Sequence, residues 1–195
     1  MRTKQPDAYW VPVNQEWGVR IFPRAGSTSF RDKYAGQNFK EFMIRDHKLC
    51  IVRHPWSRLM SVWYGMLRKT GAFDSYGFPE NVDLTGFLEW IVNQDPFDID
   101  PHITPMWAFM EGYWEPLDHQ LITLRDFYTT KTKFTFPKPQ HHLNMTEYPK
   151  EMDEASFAAF DSWMEWGGKR DLKLFNRAKK SPLVTGGNRD DRRRP

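Results

Sequence analysis

The chain has 195 residues and a mass of 23.3 kDa, with 28 Lys+Arg against 25 Asp+Glu for a formal net charge of +3. That length suits one domain with a real core, and an aromatic content of 16%, with nine Trp, excludes a disordered chain. The C-terminal stretch 189–195 holds four Arg and two Asp, so it supplies +2 of the +3. The remainder is close to neutral. Bulk charge therefore gives no argument for a nucleic-acid partner, and any anion site must be built locally.

Cys50 is the sole cysteine, which excludes an internal disulfide. No apolar run reaches the roughly 18 residues of a membrane span. Met1 to Asp7 contains no apolar stretch of the kind a secretory signal needs. The expectation is a soluble, cytoplasmic protein without a membrane partner. No oligomeric state follows from the sequence.

Residues 1–15 are polar, carry Pro6 and Pro12, and read as a loosely ordered lead-in. Trp17 to Phe22 is a short strand rich in bulky residues. It stops at Pro23-Arg24-Ala25-Gly26-Ser27-Thr28-Ser29, a turn followed by hydroxylated residues suited to a helix N-terminus. A helix is expected over about residues 27–35. Leu49-Cys50-Ile51-Val52, bounded by charges, suits a strand buried on both faces. Pro55 then takes the favoured first position of a helix. Trp56, Leu59, Met60, Trp63 and Leu67 recur on its apolar stripe, and Ser57, Arg58 and Ser61 fall on its polar side.

Strand, loop, helix, strand, loop, helix implies two parallel strands joined by a crossover. Further helices are expected over Leu84 to Val92, Met152 to Trp166 (ended by Gly167-Gly168) and Asp171 to Ala178. His119 to Leu124 is another strand, Asp95 to Pro105 an acidic loop, and 133–140 an extended or loop segment. From Ser181 the chain reads as a disordered tail. The expected architecture is an α/β single domain over residues 1–180, with a short parallel sheet flanked by helices and a P-loop-like turn.

That turn is suited to an oxyanion. The first N–H groups of a helix have no internal partner and point out of its end. Gly26 allows an unusual backbone and close approach, Ser27, Thr28 and Ser29 add hydroxyls, and Arg24 adds a forked permanent charge. Taken alone, it could equally be an ordinary capped helix start. The nucleoside-triphosphate signature G-x-x-x-x-G-K-[ST] is absent: Gly26 is followed by Ser27, and Gly168-Lys169 by Arg170.

A second cluster, Arg53-His54-Pro55-Trp56-Ser57-Arg58-Leu59-Met60-Ser61, starts at a strand's C-terminal end, where open α/β sheets bind ligands. Arg53 and Ser61 there could grip a phosphate through charge-assisted bonds. Alone, they could be surface charges and a helix-face hydroxyl.

Together, Pro23-Arg24-Ala25-Gly26-Ser27-Thr28-Ser29 and Arg53-x-Pro55-x-x-Arg58-x-x-Ser61 resemble the two anion motifs of the sulfotransferases that use 3′-phosphoadenosine 5′-phosphosulfate (PAPS). Val52 to Tyr64 looks most like the carbohydrate branch. The resemblance implies that Arg24, Ala25, Gly26, Ser27, Thr28 and Ser29 hold the 5′-phosphosulfate. It implies that Arg53 and Ser61 hold the 3′-phosphate, with Arg58 in support. A weaker likeness runs over roughly residues 17–178. It includes Asp100-Pro101-His102-Ile103-Thr104-Pro105, Leu124-Arg125-Asp126-Phe127, His142-Leu143-Asn144 and Asp171-Leu172-Lys173-Leu174-Phe175. The family more often carries Lys where this chain has Arg24. Only 28 residues separate Arg24 from Arg53, an interval in which relatives usually place a further strand, often with the base nearby.

The chemistry so implied moves a sulfuryl group from PAPS to a small-molecule or glycan acceptor hydroxyl, without a metal. Arg24 can stabilise charge but cannot act as an acid at neutral pH. His102 is the first candidate base, because histidine is the side chain suited to proton transfer near neutral pH and this one lies in a polar loop where Asp98 or Asp100 could orient it. His47 is the second, although it belongs at the far end of its strand. His54 reads as structural, and His141-His142 with Cys50 make no zinc pattern. Trp107 and Trp114 could stack on a sugar or adenine, and Lys169-Arg170 could reach the 3′-phosphate. The competing readings are an inactive nucleotide-binding module and a kinase-like phosphotransferase.

Overall fold

The computed structural model describes residues 9–12, 15–25, 42, 44–66, 77–78, 82–111, 120–129 and 153–180. Four short strands form one sheet in chain order: β1 (Tyr9–Pro12), β2 (Trp17–Ile21), β3 (His47–Val52) and β4 (Gln120–Thr123). β1 lies antiparallel to β2, while β2, β3 and β4 run parallel. The strand at 9–12 corrects the expectation of a loose lead-in: Tyr9-Trp10-Val11 has the bulky side chains that favour an edge strand, and Pro12 stands at its end.

The apolar run of β3 is enclosed on both faces, as its composition requires: Leu49, Cys50, Ile51 and Val52 are all buried. β2 is just as enclosed, and this traps Arg20 opposite Cys50 in the register. Arg20 is satisfied in part by an Nη2–H bond to the Phe109 carbonyl at 2.8 Å, with its guanidinium 5.2 Å from the Phe22 ring centroid.

The helices are α1 (Pro55–Met66), α2 (Leu84–Val92), α3 (Met106–Glu111), α4 (Leu124–Thr129), α5 (Glu154–Trp163) and α6 (Lys169–Lys180). Asp83 and Asp153 cap α2 and α5, each accepting from the N–H three residues on, at 2.8 and 2.7 Å. The short helix α3 follows directly on the expected 95–105 loop, and α4 begins at Leu124, the last residue of the expected strand.

Gly167-Gly168 does not end the preceding helix. The chain passes from α5 through a π-helical turn (Met164–Gly168) straight into α6. The reason is close packing rather than chain termination. A Cβ on Gly167 would stand 2.9 Å from Pro105 Cγ and 3.0 Å from Trp107 Nε1.

Two apolar clusters result. One surrounds the sheet, with Val19, Ile21, Leu49, Ile51 and Leu121 beside Met106 and Phe109. The other joins α1, α2 and α5 through Leu59, Met60, Phe87, Ile91 and Trp163. Trp56, Trp63, Trp90 and Trp166 pack against the second cluster, as their helical spacing implies. Among the described residues, no helix is long and apolar enough to cross a membrane. The expected helix at 27–35, the segment 133–140, His141, His142, Trp114 and the 181–195 tail lie outside the described residues.

Candidate functional site

The C-terminal ends of β2 and β3 lie side by side because the strands are parallel and paired, Ile21 opposite Ile51. Beyond β2 the chain turns at once. Ala25 N–H bonds to Phe22 O at 3.0 Å, closing a four-residue turn with Pro23 second and Arg24 third. Arg24 has φ +63°, at the position of a turn that usually takes glycine. Backbone strain of this kind persists where the surroundings hold it, and here the holding contacts are known. Arg24 Nε donates to Ser61 Oγ at 3.0 Å, and its Nη2 donates to the Ser61 carbonyl. Arg53 Nη1 donates to the Arg24 carbonyl at 3.0 Å.

The structure thus brings Arg24, Arg53 and Ser61 together from three separate elements. Ala25 is fully buried beneath them. Gly26, Ser27, Thr28 and Ser29 lie outside the described residues.

Arg58 and Ser61 are buried, at 4% and 3% exposure. The polar side of α1 faces the turn after β2. Arg58 Nε donates to the Pro23 carbonyl at 2.9 Å and its Nη2 to the Pro101 carbonyl at 3.2 Å. Its pKa falls to about 10, first through burial; Asp171 opposes the shift, and Arg53, then Arg24, add to it. The pKa of Arg24 is also lowered, by burial and then by the charge of Arg53. Three guanidinium groups therefore repel one another at one end of the sheet. That charge distribution favours an anion among them.

Asp171 is the acid that sequence reading missed as a site residue. It is buried on α6, and its two carboxylate oxygens accept the N–H groups of Met106 and Trp107 at 2.9 and 2.8 Å. These are the first N–H groups of α3, so one side chain fixes that helix to α6. Burial pushes its pKa up to about 6, against the favourable charge of Arg58 and the two N–H bonds. The signal was present: Asp171 stands in line with Leu174, Phe175 and Ala178 on the apolar stripe of an otherwise basic helix.

His102 sits in the turn before α3. Asp100 Oδ1 accepts from His102 N–H and lies 2.8 Å from His102 Nδ1. A carboxylate accepts and does not donate, so in the neutral ring Nδ1 carries the proton and the lone pair lies on Nε2. The His102 side chain is 39% exposed, and Asp100 is mostly covered.

His47 opens β3 at the opposite end of the sheet, its ring tilted 32° against that of Trp17 with centroids 4.6 Å apart. His54 packs edge-on against Phe175, and its pKa is lowered by burial and then by Lys179. Trp107 is not open for stacking on a ligand: it is 7% exposed, with the Arg170 guanidinium 3.7 Å from its ring centroid. Lys169 is engaged with Glu165. Lys169 thus pairs with a residue of the π-helical turn, and Arg170 covers Trp107.

Among the described residues, no group of three His, Cys, Asp or Glu side chains could hold a metal. Comparisons of the chain with family models, with curated proteins and with solved structures find no match.

Proposed function

We propose that the chain is a PAPS-dependent sulfotransferase with a hydroxyl acceptor, a carbohydrate being the favoured class. The observation that carries this reading is the convergence of Arg24, Arg53 and Ser61 at the C-terminal ends of two parallel strands. It supports the motif resemblance because two segments far apart in sequence meet where an anion would sit. The donor set fits a ligand with several phosphate oxygens: three guanidiniums repel one another, and Ser61 Oγ, which accepts from Arg24, belongs to a hydroxyl that can also donate.

In this reading the nucleotide supplies an activated sulfuryl group with a phosphate leaving group. Arg24, with Nη1 uncommitted to any described residue, neutralises charge at the leaving oxygen. Arg53 and Ser61 hold the 3′-phosphate. Nε2 of His102 takes the proton of the acceptor hydroxyl, with Asp100 holding the ring in the required tautomer.

Competitive titration tests the nucleotide half. Adenosine 3′,5′-bisphosphate should bind more tightly than ATP with Mg²⁺, and tighter ATP binding contradicts the reading. Transfer of labelled sulfate from PAPS to a panel of glycans and small alcohols tests the reaction. Bisphosphate binding without transfer to any acceptor would favour the second reading, a nucleotide-binding module without catalysis.

A further inference from the structure

We propose that Arg58 is a positioning residue that sets the His102 loop against the anion cradle, so that filling the cradle orders the loop. The inference rests on the functional reading above and goes further, because it assigns the link between its two halves. Arg58 donates from one guanidinium to two carbonyls, that of Pro23, immediately before Arg24, and that of Pro101, immediately before His102. Both belong to turns rather than to the sheet ladder. A covered carbonyl without a donor is costly, so the guanidinium fixes both turns at once.

An apolar residue would fill this buried position at lower cost, since burying a charge is unfavourable unless it is paired. Among the described residues, no carboxylate comes within ion-pair distance of Arg58; Asp171 and Asp100 act on it from further away. The charge is retained where its two protein acceptors are the carbonyls flanking the candidate anion-binding and base residues. Arg24 and Arg53 repel Arg58 in the ligand-free protein. An anion in the cradle removes that repulsion and adds an attraction to Arg58 in its clamped position. That differential interaction gives the ligand its leverage on the loop.

The test is hydrogen exchange on the full chain, wild type, Arg58→Lys and Arg58→Met, with and without adenosine 3′,5′-bisphosphate. The reporting amides are Ala25, His102, Ile103 and Thr104, whose N–H groups bond within the two turns. Without ligand, both variants should exchange about tenfold faster at both turns together, while β3 amides keep wild-type protection and certify the fold. With ligand, protection of 102–104 should rise in wild type and stay flat in Arg58→Lys. In sulfate transfer, Arg58→Lys should lower kcat by about tenfold or more with a smaller change in the KM for PAPS, a split that loss of structure alone would not produce.

Wild-type exchange at both turns in the ligand-free variants, or an equal ligand response in Arg58→Lys, overturns the inference. Failure of wild type to bind the bisphosphate overturns the functional reading, and the ligand-free comparison still decides whether Arg58 holds the two turns together.

Discussion

The two ends of the parallel sheet are built from the same three strands and are opposite in character. At the N-terminal end, Trp17 and His47 are paired across β2 and β3, their rings in tilted contact. At the C-terminal end, Arg24 and Arg53 emerge from the same two strands and meet Ser61 and Arg58 of α1. One end is closed by aromatic packing; the other holds repelling charges and a backbone in the left-handed region. Parallel strands make this asymmetry natural, because every strand–helix turn opens at the same edge. A chain in which stability and ligand binding are divided between the two ends should respond differently to substitutions at each.

The largest effect should come from the loop beside the C-terminal end. His102→Ala should reduce sulfate transfer by roughly 10²- to 10⁴-fold, the range expected for a general base, with bisphosphate affinity unchanged. Unchanged turnover would remove His102 from the reaction. At the other end, Trp17→Ala should cost about 3–5 kcal/mol of stability in denaturant titration and leave the bisphosphate affinity of the folded protein intact. A loss of affinity there would break the division.

A third effect concerns the support behind the charged end. The folded pKa of Asp171 is about 6 against an ordinary 3.8, so the folded state holds its proton more tightly than the unfolded chain does. Its contribution to stability is therefore most favourable below about pH 4 and declines as pH rises through about 6. The change should be on the order of 2–3 kcal/mol. Asp171→Asn should flatten that slope in melts recorded from pH 4 to 7, and an unchanged slope would contradict it.

Much of this architecture was legible because its causes are local. The run Leu49-Cys50-Ile51-Val52 can be buried on both faces without cost, so it became the middle of the sheet. Pro55 and the apolar stripe behind it fixed α1. The meeting of Arg24, Arg53 and Ser61 followed from two parallel strands whose turns open at the same edge, with α1 starting just beyond the second. What the sequence concealed depended on partners distant along the chain. Gly167-Gly168 looks like a stop, yet Gly167 is where the chain presses on Pro105 and Trp107, and Gly168 packs against Met164 and Trp163. Arg58 falls on the polar side of a helical wheel, and the wheel does not show the carbonyls of Pro23 and Pro101 that it binds. Trp107 looks available until Arg170 is found across its face.

The central question is whether the charged end of the sheet reads a 3′-phosphate. Calorimetric titration of wild type and Arg53→Ala with adenosine 3′,5′-bisphosphate and with adenosine 5′-monophosphate asks this directly. Wild type should favour the bisphosphate, and Arg53→Ala should lose about 1.5–3 kcal/mol on the bisphosphate alone, roughly 10- to 150-fold in Kd. Equal affinity of wild type for the two nucleotides, or an equal loss on both in the variant, would contradict it.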